Sequence, residues 1–173
     1  MKHVCSCTAQ TELLSFGALA QVQLLPHPII RAARAASGSY PEPTVMMMVD
    51  TGAARTVIER RIAESLGLTP IRFDPMIGVS QKIEYHPVYM MTMRIAVEEN
   101  NGVTGSLDFD AQITGMESPP IPTQHAGLIG RDFLRMVHVI YNGPKGNVEL
   151  HLSSQITKKA VVKHPKAKNK KKR

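Results

Sequence analysis

An unbroken apolar run, Val45-Met46-Met47-Met48-Val49, passes directly into Asp50-Thr51-Gly52-Ala53, and Val57-Ile58 then resumes the apolar pattern. A run of this length between turn residues reads as a strand buried on both faces. Ionised oxygens in an apolar site cost several kcal/mol, so an Asp at the end of such a strand needs a partner or a task. The residues allow two readings. In the first, Asp50 is a strand-end turn residue whose side chain caps the next turn of the backbone, with Gly52 at positive φ. In the second, a carboxylate is held in a cleft to activate water.

A second segment, Ala126-Gly127-Leu128-Ile129-Gly130-Arg131-Asp132-Phe133-Leu134-Arg135-Met136, favours the second reading. Two bulky apolar residues meet a Gly, a polar pair opens a short helix near Asp132, and Val137-His138-Val139-Ile140-Tyr141 alternates as a strand. An amphipathic helix alone accounts for residues 132–136. It leaves Leu128-Ile129-Gly130 unexplained.

Asp50-Thr51-Gly52-Ala53 and Leu128-Ile129-Gly130-Arg131-Asp132-Phe133-Leu134, in this order and spacing, resemble the active-site loop and loop-supporting segment of the retropepsin family. These are the dimeric aspartic proteases typified by retroviral proteases. Met76-Ile77-Gly78-Val79-Ser80 falls where that family carries its flap, although only Gly78 supplies the expected glycine. The resemblance covers roughly residues 16–152. It implies an all-β, closed barrel-like domain with one short C-terminal helix, Asp50 as general acid/base, and Thr51, Gly52 and Ala53 as its loop. It further implies that Leu128, Ile129, Gly130 and Arg131 support the loop, with the Gly allowing close backbone approach, and that Ile77, Gly78, Val79 and Ser80 form the flap. Arg131 is expected to act structurally, near a partner's active-site loop, and Thr51 to hydrogen-bond across a dimer axis.

Carboxylate-driven peptide hydrolysis needs two carboxyl groups about 3 Å apart sharing a proton. No second Asp-[Ser/Thr]-Gly occurs in the chain, because Asp74, Asp108, Asp110 and Asp132 lack that context. The expected enzyme is therefore a homodimer to which each chain lends one Asp50. Its expected function is aspartic endopeptidase action on a peptide or protein substrate. Ser at position 53 would donate to the carboxylate and favour ionisation, so Ala53 predicts an activity optimum nearer neutrality than strong acid. Two further readings are a dimeric peptide-binding module with little catalysis, and a dimeric scaffold that contacts nucleic acid.

The net charge of +7 is the origin of that last reading. Nine of the 21 basic residues lie between Lys158 and Arg173 with no acid among them, leaving 12 basic against 14 acidic residues in the first 157. Such a block is expected to be a disordered tail, read either as a solubilising extension or as an arm making weak, salt-sensitive contact with nucleic acid. No aromatic interleaves with the lysines, so base stacking is not implied. The organisation expected is a flexible segment over 1–15, the protease domain over 16–152 and the basic tail over 153–173.

Cys5 and Cys7, even with His3, are too few for a closed zinc site, and no cofactor or metal is expected. Neither a secretory leader nor the roughly 20 apolar residues of a membrane helix is evident, so no membrane contact and a cytoplasmic location are expected. Met-rich stretches at 46–48 and 90–93 read as gap-filling core. Strands are expected over Thr11–Leu25 (clearest at its alternating end), Thr44–Val49, Tyr85–Val97 and Gly105–Ile113, with a turn at Asn100-Asn101-Gly102. One or two helical turns are expected over Glu59–Leu66, ended by Gly67. Pro26–Pro43, rich in breakers, is expected to be an enlarged loop, which the resemblance would place at the active-site rim.

Overall fold

The computed structural model describes residues 1–4, 10–34, 41–77, 81–98, 104–117 and 125–152. These residues form ten strands and four short helices: β1 (Lys2–Val4), α1 (Gln10–Phe16), β2 (Leu19–Pro26), α2 (Pro28–Ala33), β3 (Thr44–Val49), β4 (Val57–Glu59), α3 (Arg60–Ser65), β5 (Arg72–Ile77), β6 (Ile83–Glu98), β7 (Thr104–Met116), β8 (Gly127–Ile129), α4 (Arg131–Leu134), β9 (Val137–Asn142) and β10 (Asn147–Leu152). Six of the strands close a barrel in the order β2-β3-β8-β4-β7-β6, with β6 returning to β2. The all-β expectation therefore holds.

β6 is long enough, at 16 residues, to serve two partners along one edge. Its first half takes β5, from Arg72↔Val88 to Ile77↔Ile83, and its second half takes β2, from Pro26↔Met91 to Val22↔Ile95. β7 runs antiparallel along the other edge from Val88↔Thr114 to Glu98↔Thr104, so the expected turn at 100–102 falls between paired strand ends but outside the described residues. Leu24, Met47, Met91, Met93, Leu107, Ile113 and Ile129 are fully buried inside the barrel. Met47, Met91 and Met93 are thus core, as their unbranched, adaptable side chains allow.

β3 departs in degree from its expected burial. Only Met47 is sealed, and Val45, Met46, Met48 and Val49 are partly buried. Gly17, just past α1, lies against this strand, with the Met48 sulfur 3.1 Å from where a Cβ would stand.

Two helices occupy segments expected to be strand and loop. α1 replaces the first part of the Thr11–Leu25 strand. Its end is marked by Gly17 at φ +73°, whose amide reaches Leu13 O. α2 begins with Pro28 at a first-turn position, where the missing N–H costs nothing, and the His27 ring accepts from Ile29 N. The breaker reading of Pro28 missed that asymmetry. By contrast α3 ends as expected, with Gly67 at φ +65° and the paired Gly67 N→Glu64 O and Leu68 N→Ala63 O bonds of a glycine-terminated helix.

Of the enlarged connection, the described residues 27–34 and 41–43 leave the barrel at Pro26 and re-enter it at Thr44, which six residue steps of strand put about 20 Å from Asp50. Arg34 fastens its first part to the end of α3 through Leu66 O and Gly67 O, at 3.3 and 2.6 Å.

β1, β10 and β9 form a sheet that joins the barrel at Lys2↔Glu98. Val148, Leu150 and Leu152 alternate inward along β10. Of the segment set apart as flexible, Lys2–Val4 is a strand on β10 and Leu13 belongs to the core. Cys5 and Cys7, and the whole basic tail from Lys158, lie outside the described residues. No helix among the described residues is long and apolar enough to cross a membrane.

Candidate active site

β8 lies between β3 and β4, parallel to the first and antiparallel to the second. Its ladder continues one residue past β3, where Asp50 N donates to Ile129 O at 3.0 Å. Asp50 therefore leaves a fixed strand end at the centre of the barrel wall, half-buried, with Thr51 and Gly52 exposed beyond it.

The first turn of the loop is shaped by the carboxylate itself. Asp50 Oδ1 accepts from Gly52 N at 2.7 Å and from Ala53 N at 3.2 Å. The turn-capping reading is thus correct for one oxygen. Among the described residues the other oxygen, Oδ2, has no hydrogen-bond donor. Gly52 is not at positive φ; what matters there is room, because a Cβ would sit 3.0 Å from Asp50 Oδ1.

Residues 127–133 hold the loop from below. A Cβ on Gly127 would lie 2.2 Å from Val57 O, and one on Gly130 would lie 2.4 Å from both C and O of Arg55. Both contacts are to backbone and cannot yield by a rotamer change, which accounts for glycine at each position. Ile129 is fully buried, and Leu128 pairs with Met48 on one side and Val57 on the other.

Arg131 acts on its own chain's loop. Its amide donates to Ala53 O at 2.9 Å, and Nη1 donates to Thr51 O at 2.8 Å and Gly52 O at 2.9 Å. The side chain thus collects two outward carbonyls that the tight turn leaves without strand partners. The resemblance implied contact near a partner's loop; the bonds formed within the chain are these.

The far end of the loop is closed by a pair that the residue pattern did not single out. Asp132 Oδ1 accepts from the Thr56 hydroxyl at 2.7 Å, from Thr56 N at 2.9 Å and from Phe133 N at 2.9 Å, while Oδ2 takes Thr56 N at 3.0 Å. The same hydroxyl accepts from Gly130 N at 3.1 Å. Thr56 is 1% exposed, so this is a buried, fully used network. The available signal was a Thr at the mouth of an apolar strand, facing an Asp in the first turn of a helix.

The β5–β6 hairpin touches this loop at Arg55, whose Nη2 is 3.9 Å from Asp74 Oδ2. Arg72 holds Asp74 by two bonds of 2.7 and 2.9 Å and donates to Gln112 at 2.6 Å. The Arg72 guanidinium keeps the Asp74 carboxyl below the usual carboxylate range, opposed by partial desolvation. Ile77 ends β5, exposed and paired with Ile83. The other flap candidates, Gly78, Val79 and Ser80, lie outside the described residues.

The fold is thus a closed six-stranded barrel with an aspartate turn at the end of β3, crossed beneath by a glycine-terminated strand. Residues 36–133 match the family model described as aspartyl protease, and the chain belongs to that family. Among curated proteins no match is found.

Proposed function

We propose that the chain is a retropepsin-type aspartic endopeptidase that works as a homodimer, with one Asp50 from each subunit forming the catalytic pair. The observation that carries this reading is the fixed, half-exposed Asp50. One oxygen is tied into the loop and the other is free of donors among the described residues, on a turn braced by Arg131 and by the Thr56–Asp132 network.

Two such carboxyls facing each other across a two-fold axis share one proton. The ionised member takes a proton from water. The protonated member donates to the scissile carbonyl oxygen as the tetrahedral intermediate forms, and proton return to the leaving nitrogen completes cleavage. Each chain supplies one aspartate in the required loop, so the monomer is half a site. A two-fold axis brings the same residue to the centre twice. Thr51 is exposed at the loop apex, and in this reading it meets its counterpart across that axis.

The test is cleavage of a mixed peptide library between pH 4 and 7 by the full chain, beside Asp50→Asn. The expected result is a loss on the order of 10⁴-fold in the variant with an unchanged melting temperature. Equal cleavage by both proteins would sink the proposal. A dimer that binds library peptides without cutting them would establish the binding-module reading instead.

A further inference from the structure

A pocket of about 280 Å³ opens beside the catalytic loop, starting at Arg55 and bounded by Gln112, Asp110, Asp132, Arg135 and Met136. Asp50 is not part of its wall. It nevertheless belongs to the loop's surroundings, because Arg55 and Thr56 close one side and Asp132 another.

The charges around it are unequally engaged. Asp132 spends both oxygens on the Thr56 and Phe133 donors. Asp110 accepts the Thr92 hydroxyl at 2.6 Å and stands 3.6 Å from the His27 ring. The cations are less satisfied. Arg55 has its side chain half exposed and, among the described residues, reaches only Asp74, at 3.9 Å, a carboxylate already bound bidentately by Arg72. Arg135 is exposed and forms no ion pair among the described residues. Two guanidiniums with donors to spare therefore border one cavity, and their planar fork suits a carboxylate.

Resting on the dyad reading above, we infer that this pocket is a specificity site for an acidic side chain of the bound peptide, with Arg55 and Arg135 as its specificity-determining residues. Arg55 is five residues from Asp50, a span of at most about 18 Å, so an extended substrate brings the acidic residue within about five positions of the cut bond. Two-fold symmetry supplies one pocket on each side of that bond. The preference therefore appears on both sides.

The experiment uses twelve-residue peptides carrying Glu, Gln or Lys in turn at every position, cleaved by the full chain and by an Arg55→Glu/Arg135→Glu variant of verified melting temperature. For the wild type, kcat/KM at one position on each side should favour Glu over Gln about tenfold, and added salt should shrink that ratio. In the double variant the ratio should fall below one and the Lys peptide should overtake. A ratio near one in the wild type, or a ratio preserved in the variant, overturns the inference. Failure of the wild type to cleave any peptide would sink the dyad reading instead. Fluorescence anisotropy of the same peptides on the Asp50→Asn chain then decides the pocket. Tighter Glu than Gln binding, abolished by the arginine substitutions, supports it; equal binding or none overturns it.

Discussion

Thr56 tests the site without touching the chemistry. Replacing it with Val leaves the shape but deprives Asp132 of one donor and Gly130 N of its acceptor, in a place sealed from water. Such a loss costs about 1–3 kcal/mol. Thr56→Val should lower the melting temperature measurably and reduce kcat more than it raises KM, and Thr56→Ser should restore both. Gly130→Ala is expected to be harsher, since its methyl would enter the Arg55 backbone, and a loop misplaced by about 1 Å loses on the order of 10²-fold in rate. Position 53 bears on pH rather than on stability. Its amide already donates to Asp50 Oδ1, and Ala53→Ser adds a hydroxyl donor that favours the ionised pair. The rate maximum of the Ser variant should move to lower pH; a wild-type maximum near pH 3 would contradict the proposed role of Ala53.

Among the elements, β9 has the clearest consequence for assembly. Among the described residues it pairs only with β10, and Ile140 and Tyr141 are exposed along it at 48% and 64%. An edge strand with open backbone and apolar side chains invites another chain. It also begins three residues after α4, whose first residue grips the Asp50 loop. Ile140→Lys should weaken self-association, seen by sedimentation as a monomer at concentrations where the wild type is a dimer. Activity should fall with it and recover at higher protein concentration. The β5–β6 hairpin meets the Asp50 loop through Asp74, 3.9 Å from Arg55. The Asp74 carboxyl is held below the ordinary range chiefly by Arg72 of the same strand, so its charge is complete above about pH 4 and is lost as pH falls through the depressed value. Acid titration followed by hydrogen exchange should show β5 opening before the β6–β7 ladder.

For the molecule as a whole, deleting 158–173 should leave peptide cleavage intact and abolish any salt-sensitive retention on nucleic acid, because the remaining chain carries the Asp50 loop but not the block of nine basic residues. The strands were legible wherever local pattern and burial agree. Thr44–Val49 as a strand, and the helical turns expected over Glu59–Leu66 and ended by Gly67, seen as Arg60–Ser65, follow from residue order alone. The pairing of the Asp-Thr-Gly turn with the Leu-Ile-Gly strand came instead from the family resemblance, and the backbone contacts at Gly127 and Gly130 show why glycine stands there. α1 and α2 were not legible as helices, because seven- and six-residue helices owe their stability to packing rather than propensity. Nor was the place of residues 27–34, which depends on Arg34 reaching a helix end 32 residues away. Sequence by itself pointed to Asp50 and to the proposed second copy, and through the family resemblance to the glycines beneath the loop, because carboxylate chemistry and close backbone approach are written in residue type. Only the tertiary structure decided that Asp132 and Thr56, 76 residues apart, clamp the loop, and that Arg55 and Arg135 share a pocket. Long-range contacts are chosen when the barrel closes, and no local spacing records them.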